Sequence, residues 1–359
     1  MEIHQIVVGA SPADAVTNDA LAIQELLRKV GPSEIFARYV HDELAGEVHR
    51  LEDYEALPSA RTGANLLIYH ASIGEPVVVS FLLGRREQLV LKYHNITPPG
   101  YFLDVDPAFA ELLAGGRLEL AALQKRVLLA LADSAYNAGE LEELGYQDVR
   151  VSPLLVETSR LLDLEPDPIL AQRLDETLGG PLLLFVGQLL PHKRPDLMLQ
   201  AYHLLVTYLM PEAHLALVGP WPSDRYRWAL EAFVRQLNLD RALLPGRVPA
   251  AELAAYFRKA AAFVTMSEHE GVCVPLLEAM AFDLPVVARD YAAVPETLSG
   301  AGLLLPAEDD PMLVAEALAR VLTDEELRRE LVAAGARRLA DFDPDAARAT
   351  LLGHIADVA

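Results

Sequence analysis

The most constraining feature of the chain is a series of short strand-like runs, most of them continuously apolar, that alternate with longer stretches of helical character. In the first half the runs are IHQIVVG (3–9), NLLIYH (65–70), QLVLKYH (88–94), LLALADS (128–134) and VRVSPLL (149–155). A strand with one covered face alternates apolar and polar residues, whereas a strand covered on both faces is apolar throughout. These runs therefore predict a parallel sheet with helices packed on both of its faces.

The same pattern starts again near residue 180. Its strand candidates are PLLLFVG (181–187), HLALVG (214–219), AAFVTM (261–266), LPVVAR (284–289) and AGLLLP (301–306). A chain of 359 residues is also longer than a typical single domain. The predicted fold class is therefore α/β, with two Rossmann-like, doubly wound domains.

The polar, proline-containing segment ETSRLLDLEPDP (157–168) separates the two sets of strands. We predict an N-terminal domain over residues 1–160 and a C-terminal domain over residues 161–340. Residues 341–359 are predicted to form a C-terminal helix that packs back on the N-terminal domain. Ligands of open α/β sheets bind beyond the carboxyl ends of the strands, so two facing domains would hold a ligand in the cleft between them.

Composition excludes several classes of protein. The formal net charge of −22 argues against non-specific binding to nucleic acid or to an anionic membrane. No apolar run reaches the ~18–20 residues of a membrane span, and the first residues lack the basic start of a signal peptide. The single cysteine, Cys273, excludes an internal disulfide and a multi-cysteine zinc site. We therefore expect a cytoplasmic protein.

Two glutamates, Glu270 and Glu278, lie in the otherwise apolar stretch SEHEGVCVPLLEAMA (267–281), directly after a predicted strand. Gly271 permits a turn and Pro275 fits a first helical position, so a helix is expected to begin between the two carboxylates. Its free backbone N–H groups would form an anion site, and the carboxylates would accept hydrogen bonds from hydroxyls. The alternative is one capping glutamate and one solvent-facing glutamate on an ordinary surface helix.

A second candidate follows the strand that ends at Gly187, in FVGQLLPHKRPDLMLQAY (185–202). Lys193 and Arg194 precede a helix that is predicted to begin at Pro195. Two cations beside the positive end of a helix suit a diphosphate. The alternative is a solvated basic loop.

The first half offers two weaker candidates. His94 ends a predicted strand and precedes a proline-stiffened loop, where it could donate to a substrate oxygen or hold the backbone. The loop GASPADAVTND (9–19) follows the first strand, and Asn18 is a plausible cap for the next helix. This loop lacks the G-x-G-x-x-G fingerprint of dinucleotide-binding proteins, and it could be a plain connection or the place where an acceptor or phosphate meets the domain.

Other catalytic templates are missing from the sequence. It contains no Walker loop, no H-E-x-x-H and no G-x-S-x-G. The D-x-D at residues 104–106 lies in a loop without supporting residues, so we do not assign it a metal. Cys273 is interpreted as a small buried residue rather than as a nucleophile.

The stretches VGQLLPHKRPDLMLQA (186–201) and SEHEGVCVPLLEAMAFDLPVVARDYAAVPETLSGAGLLL (267–305) together resemble the donor-binding half of glycosyltransferase family 4, which has the GT-B fold. Glu270 to Glu278 matches the E-x7-E element of that family. In the first half, LIYHASIG, YHNITPPGYF and LADSAYNAGEL are similar to a bacterial branch that builds surface polysaccharides.

The resemblance implies transfer of a sugar from a nucleotide-diphosphate sugar (UDP- or GDP-linked), with retention at the anomeric carbon and without a metal. It implies three groups of site residues. The catalytic group is His94, Lys193 and Glu270. The donor-binding group is Gly187, Gln188, Lys193, Arg247, Val248, Glu270, Gly271, Val272, Cys273, Val274 and Glu278. The residues expected on the acceptor side are Gly9, Asp14 and Asn18.

The resemblance also implies individual roles. Glu278 would accept from ribose hydroxyls, Glu270 would hold hydroxyls of the donor sugar, and Lys193 would neutralise the departing diphosphate. Two positions depart from the family pattern. Gln188 replaces the usual arginine, and Cys273 stands where the usual Gly-Phe-Gly places its second glycine.

Other functions remain open at this point. A different GT-B activity, such as a nucleotide-sugar epimerase or a phosphorylase, needs the same donor site. Because Gln188 replaces the usual arginine, the chain could also be a protein that binds a nucleotide sugar without transferring the sugar. The acceptor, whether a glycan, a lipid-linked sugar or a small molecule, is not specified. A lipid-linked acceptor would require peripheral contact with the inner face of the membrane.

Overall fold

The computed structural model describes residues 2–12, 14–157 and 159–358. The chain divides into two compact units. Unit 1 comprises Met1–Val156 and Phe342–Ala359, and unit 2 comprises Glu157–Asp341. Within the described residues, no helix combines the length and the apolar composition that crossing a membrane requires.

Unit 1 is built on a sheet of seven parallel strands in the order β3-β2-β1-β4-β5-β6-β7. The strands are β1 (Ile3–Ala10), β2 (Ile35–Val40), β3 (Val48–Arg50), β4 (Leu66–Ala71), β5 (Gln88–Tyr93), β6 (Val127–Ala132) and β7 (Val149–Val151). Its helices are α1 (Ala15–Leu27), α2 (Pro76–Gly84), α3 (Pro107–Leu123), α4 (Ala135–Glu143) and α14 (Pro344–Ala356).

Unit 2 is built on a sheet of six parallel strands in the order β10-β9-β8-β11-β12-β13. The strands are β8 (Leu182–Val186), β9 (His214–Val218), β10 (Ala242–Gly246), β11 (Ala260–Thr265), β12 (Val286–Arg289) and β13 (Leu303–Leu305). Its helices are α5 (Ser159–Leu162), α6 (Pro168–Thr177), α7 (Pro195–Leu204), α8 (Asp224–Gln236), α9 (Ala250–Lys259), α10 (Val274–Ala281), α11 (Val294–Leu298), α12 (Pro311–Thr323) and α13 (Glu325–Leu339).

The predicted α/β class is confirmed, because the strands of both sheets are parallel and their central members are buried on both faces. The core of unit 2 is formed by one apolar cluster on each side of its sheet. In unit 1, Leu351 and Ile355 of α14 belong to the same apolar cluster as Ile23 of α1 and Leu66 of β4.

Most helices begin where the sequence supplies a capping side chain. These caps are Asp14, Glu75, Asp106, Ser134, Asp167, Ser223, Asp310, Asp324 and Asp343. The prediction that Asn18 caps the first helix is wrong. Asp14 does so, since its Oδ2 accepts from Thr17 N at 2.9 Å. Asp106, which belongs to the D-x-D, caps α3 by accepting from Phe109 N.

Three edge or next-to-edge strands were not predicted. β2 and β3 contain charged residues, and β10 contains Pro245, so none of them has a continuous apolar run. The predicted strand at 149–155 forms only over Val149–Val151, and Pro153, which follows, has no N–H for a ladder.

Both sheets reverse their direction of growth at one place. In unit 1 the chain moves from β1 to β2 and β3 and then returns to place β4 on the other side of β1. In unit 2 β11 is placed on the other side of β8 in the same way. The loops after the two central strands therefore leave the sheet in opposite directions and open a crevice at the carboxyl edge.

Candidate functional site

The crevice of unit 2 lies between the loop after β8 and the loop after β11. The two loops are joined by a backbone hydrogen bond from Glu268 N to His192 O, at 2.7 Å. The loop after β9 approaches the first of them so closely that a Cβ at Gly219 would lie 1.9 Å from Gly187 O. A glycine is therefore required at Gly219, because any side chain would overlap the neighbouring backbone.

The amino end of α10 points its backbone donors into this region. Cys273 has a left-handed backbone (φ 65°), which turns the chain directly into the helix that begins at Val274. The N–H groups of residues 271–274 donate no hydrogen bond to any described residue. Free N–H groups together with the helix dipole form an anion site.

Lys193 and Glu270 meet beside this helix end. Their Nζ and Oε1 atoms are 2.6 Å apart, and 17% of the lysine side chain and 11% of the glutamate side chain are exposed. The Cys273 thiol also donates to Glu270, and burial raises the pKa of that thiol well above its usual value. Cys273 is thus a neutral donor and not a nucleophile.

Glu278 lies in the second turn of α10, four residues after Val274 and so on the same helix face. It is half-buried, and its carboxyl makes no hydrogen bond or ion pair with another described residue. Burial raises the pKa of its carboxyl to about 7. A carboxyl in such surroundings has an unused capacity to accept hydrogen bonds from a ligand.

The other basic residues of this loop do not add free charge. The guanidinium of Arg194 is held by the carboxylates of Glu268, Asp196 and Asp309. His192 is buried, and desolvation lowers its pKa well below the usual value, so its ring is neutral. Lys193 is therefore the cation of this loop that faces Glu270 and the amino end of α10.

The other predicted donor-binding residues also lie on the carboxyl edge of unit 2. Gly187 and Gln188 follow β8, and Gln188 is exposed. Arg247 and Val248 follow β10, where Arg247 is exposed and Val248 packs on the apolar core. Their predicted contacts with the donor remain predictions.

His94 lies in unit 1, directly after β5, and 3% of its side chain is exposed. Its Nδ1 contacts Asp133 Oδ2 at 2.8 Å, and its Nε2 contacts His70 Nδ1 at 2.8 Å. Both ring nitrogens are therefore used inside unit 1. The predicted donation to a substrate oxygen requires that one of these bonds be exchanged.

The hydrogen bonds around His94 connect neighbouring elements of unit 1. Gln5 Nε2 donates to Ala20 O, so Gln5 Oε1 accepts from His70 Nε2. His70 Nδ1 contacts His94 Nε2, and His94 Nδ1 contacts Asp133 Oδ2. Burial opposes ionisation of Asp133, but His94 and the Lys92 ammonium lower its pKa below the ordinary value.

Asp19, His70 and His94 form the one group in the described chain that could hold a metal ion, with one atom of each within 4.8 Å of the others. Asp19 Oδ2 is buried and without a hydrogen-bond partner. However, a metal would hold two nitrogens ~3.3 Å apart at bond lengths of ~2.0–2.1 Å. The 2.8 Å between the two rings instead fits a hydrogen bond.

A pocket of about 470 Å³ lies at the corresponding crevice of unit 1, and we name it the switch-point pocket. It contains Gly9 and Asp14, whereas Asn18 lies exposed on α1 and outside its lining. Its complete lining is Val8, Gly9, Ala10, Ser11, Asp14, Val16, Tyr39, Val40, His41, Ser72 and Ile73.

Sequence reasoning missed Tyr39, His41 and Ser72 in this pocket. Tyr39 and His41 belong to β2 and its end, which had no continuous apolar run to reveal it. Ser72 follows β4, and its position after a predicted strand was an available signal.

Residues 168–338 match the family described as Glycosyl transferases group 1. Over 167 residues the chain is 31% identical to O-antigen chain mannosyltransferase B of Escherichia coli, a match covering 44% of this chain and 41% of that protein. Over 181 residues it is 35% identical to a D-inositol 3-phosphate glycosyltransferase of Frankia alni, covering 47% and 44%. The chain thus spans less than half the length of each of these relatives.

Among solved structures, HepE of Anabaena in complex with UDP-glucose superposes on the chain with a TM-score of 0.79. The two sequences are 15% identical, and the match covers 100% of both chains. At this identity the likeness shows the fold, which is GT-B.

Proposed function

We propose that the chain is a retaining glycosyltransferase of family 4. The premise is that residues 168–338 match the family described as Glycosyl transferases group 1. It transfers a sugar from a nucleotide-diphosphate sugar, without a metal, to a glycan, lipid-linked or small-molecule acceptor. The process it serves is the synthesis of cell-surface polysaccharide, on the cytoplasmic side of the membrane.

The observation that carries this proposal is the amino end of α10. Four unused N–H groups and the Lys193 ammonium supply positive potential in one place, beside Glu270 and one helix turn from Glu278. A nucleotide-diphosphate sugar has the complementary order of groups, with hydroxyls at both ends and a charged centre.

The site favours cleavage of the donor because negative charge develops on the diphosphate, beside the positive groups of the site. As the bond between the anomeric carbon and the diphosphate oxygen breaks, the electron pair goes to the diphosphate. A fixed ammonium and oriented N–H groups stabilise that charge more in the transition state than in the ground state. The acceptor oxygen forms the new bond on the same face of the sugar, and its proton passes to the departing phosphate.

The ion pair between Lys193 and Glu270 gives these two residues linked roles. When the diphosphate binds, Lys193 moves from Glu270 to the phosphate oxygens, which are stronger charge partners. Glu270 is then released to accept from the sugar hydroxyls. Glu278 accepts from the ribose hydroxyls, which is a role that its unpaired carboxyl permits.

The relatives support the narrower parts of the proposal. The printed name of the Escherichia coli relative refers to the O-antigen chain, and HepE was solved with UDP-glucose bound. A surface-polysaccharide role and a UDP-linked donor are the corresponding inferences for this chain.

The test is to incubate the chain with UDP- and GDP-sugars and an acceptor panel, and to determine the products by NMR. A new α-glycoside from an α-linked donor is the expected product. Lys193→Ala is expected to lower turnover about 100-fold, the effect of removing one transition-state charge partner. Lys29→Ala, at an exposed lysine of unit 1, is the matched control. A product that forms without acceptor, or only with inorganic phosphate, would instead assign an epimerase or a phosphorylase.

A further inference from the structure

The switch-point pocket of unit 1 has an unusual charge for a place where α/β folds often bind phosphate. Its lining, as far as the chain is described, contains no lysine or arginine. The titratable side chains that line it are Asp14, Tyr39 and His41. An anion in this pocket would therefore meet a carboxylate in the lining. The guanidinium of Arg38 lies outside the lining, 5.7 Å from the centre of the Tyr39 ring, and is paired with Glu52 at 2.6 Å.

The helix dipole that would attract a phosphate is already neutralised by the chain itself. Asp14 caps α1, and its Oδ2 accepts from both the backbone N and the hydroxyl of Thr17, each at 2.9 Å. Ser11 N, a further donor of this loop, is taken up by Thr17 Oγ1 at 3.1 Å. The amino end of α1 thus presents a carboxylate where a phosphate site presents free N–H groups.

The pocket contains an aromatic surface against which the apolar face of a sugar-like ring can lie. Tyr39 is 57% exposed, yet its hydroxyl is held by Glu75 Oε2 at 3.1 Å, so the aromatic ring is an anchored platform. Gly9 lies beside it and is exposed. A Cβ at Gly9 would come no closer than 3.9 Å to Tyr39, so the fold itself does not require a glycine there. The missing side chain leaves room over the platform.

The remaining polar groups form a mixed set of donors and acceptors. His41 Nδ1 accepts from Glu43 N at 3.3 Å, which leaves Nε2 as the donor of the ring. Asp14 Oδ1 accepts from no described residue, and the Ser72 hydroxyl can both donate and accept. Such a set matches hydroxyl groups, each of which is also donor and acceptor.

We infer that the switch-point pocket takes an uncharged, hydroxyl-rich ring as the acceptor, and that it discriminates against a phosphorylated one. This inference rests on the proposed function and names the acceptor class of the same reaction. It separates the chain from its Frankia alni relative, whose printed name refers to inositol 3-phosphate.

The experiment is a saturation-transfer NMR titration of the full chain with two matched pairs of probes. The pairs are myo-inositol with inositol 3-phosphate, and methyl α-mannoside with mannose 6-phosphate. At least one neutral probe is expected to bind, at millimolar concentration or tighter, and its phosphorylated partner at least about tenfold more weakly. Gly9→Ala is expected to weaken the neutral probe about tenfold, while Gly139→Ala, in α4 with open space around it, leaves it unchanged.

Asp14→Asn removes the negative charge of this side chain and keeps the helix cap, because asparagine caps a helix as well as aspartate does. This variant is expected to strengthen binding of the phosphorylated probes about threefold relative to the neutral probes, because only the phosphorylated ones are repelled by the carboxylate. Tighter binding of the phosphorylated member by the unchanged chain would overturn the inference. So would full affinity in Gly9→Ala, or an absence of binding by both neutral probes.

A separate titration with UDP and GDP measures nucleotide binding at the candidate site of unit 2, independently of the switch-point pocket. If these nucleotides bind Gly9→Ala as they bind the unchanged chain, a failure of the sugar titration counts against the acceptor class only. If no nucleotide or nucleotide sugar binds any of the proteins, the proposed function fails, whatever the sugar titration shows.

Discussion

Glu270 and Glu278 are chemically identical side chains, eight residues apart, that the fold places in different electrostatic surroundings. Glu270 is paired with the Lys193 ammonium at 2.6 Å. Glu278 lacks any such partner in the described chain, and burial raises its pKa to about 7. The two residues are therefore expected to respond in opposite ways when each is neutralised.

Glu278→Gln is expected to stabilise the protein at high pH. The carboxyl has a pKa of about 7 when folded and 4.5 in its reference state, so between these values only the unfolded form ionises. Ionisation of Glu278 therefore lowers the free energy of unfolding as pH rises from about 4.5 to 7. The gain from Glu278→Gln should be on the order of 1–3 kcal/mol at pH 8 and near zero at pH 4.

Urea unfolding at the two pH values measures this difference, with the exposed Glu330→Gln as the matched control. Equal gains at pH 4 and pH 8 would show that the raised pKa is not the cause. The same variant should bind nucleotide more weakly, because an amide is a poorer acceptor of ribose hydroxyls than a carboxylate.

Glu270→Gln is expected to separate binding of the diphosphate from transfer. The substitution frees the Lys193 ammonium, so UDP or GDP should bind about fivefold more tightly, while transfer from the nucleotide sugar falls. Calorimetry with the bare nucleotide and a transfer assay measure the two effects. Weaker binding of the bare nucleotide would mean that Glu270 contacts the diphosphate side of the ligand or supports the loop.

The hydrogen-bonded histidines of unit 1 permit a test of their coupling. His94→Gln removes the ring that contacts both Asp133 and His70, and should cost about 3–5 kcal/mol of stability. Asp133→Asn should cost less in this background than in the unchanged chain, because the two side chains are bonded to each other. A thermodynamic cycle of the four proteins measures the coupling. Losses that simply add would contradict an energetic role for this bond.

At the scale of the element, the candidate site lies at the carboxyl ends of the central strands of the sheet. The loops after β8 and β9 meet at a distance that only a glycine at Gly219 allows, and the loop after β11 is bonded to the first of them through Glu268 N and His192 O. Gly219→Ala is therefore expected to cost more than about 3 kcal/mol or to prevent folding. Gly139→Ala, inside α4, should instead stabilise by up to about 1 kcal/mol. Thermal unfolding of both variants measures the difference, and equal effects would contradict the close approach.

Sequence patterns predicted most strands of both sheets and missed three with short or interrupted apolar runs. β1, β4, β5, β8, β9 and β11 are rich in apolar residues, and each was predicted. β2, β3 and β10 carry charges or proline and were missed. The missed β2 explains why the Tyr39 platform was not predicted.

The candidate site was predictable to the extent that it follows chain order. Lys193, Glu270 and Glu278 became candidates because they lie beyond predicted strands, and their roles were implied by the resemblance to glycosyltransferase family 4. Side-chain partners from distant segments were not predictable. The sequence gives no sign that Arg194 is held by Glu268 and Asp309, which lie 74 and 115 residues away in the chain.

At the scale of the whole molecule, the same sheet reversal occurs twice with opposite electrostatics. The crevice of unit 2 offers free N–H groups and an ammonium, whereas the crevice of unit 1 is capped by the Asp14 carboxylate. The whole chain has a net charge of −22, so the local positive potential at the crevice of unit 2 contrasts with the negative charge of the rest of the protein. This division of charge is the physical basis for assigning the donor to unit 2 and the acceptor to unit 1.

The central claim is that Lys193, Glu278 and the amino end of α10 bind a nucleotide-diphosphate sugar. Isothermal titration of the full chain with a panel of UDP- and GDP-sugars tests it most directly. We predict saturable binding to at least one donor, weakened about tenfold or more in both Lys193→Ala and Glu278→Ala and unchanged in Lys29→Ala. Binding that persists at full strength in both site variants, or no binding to any donor of the panel, would contradict the account.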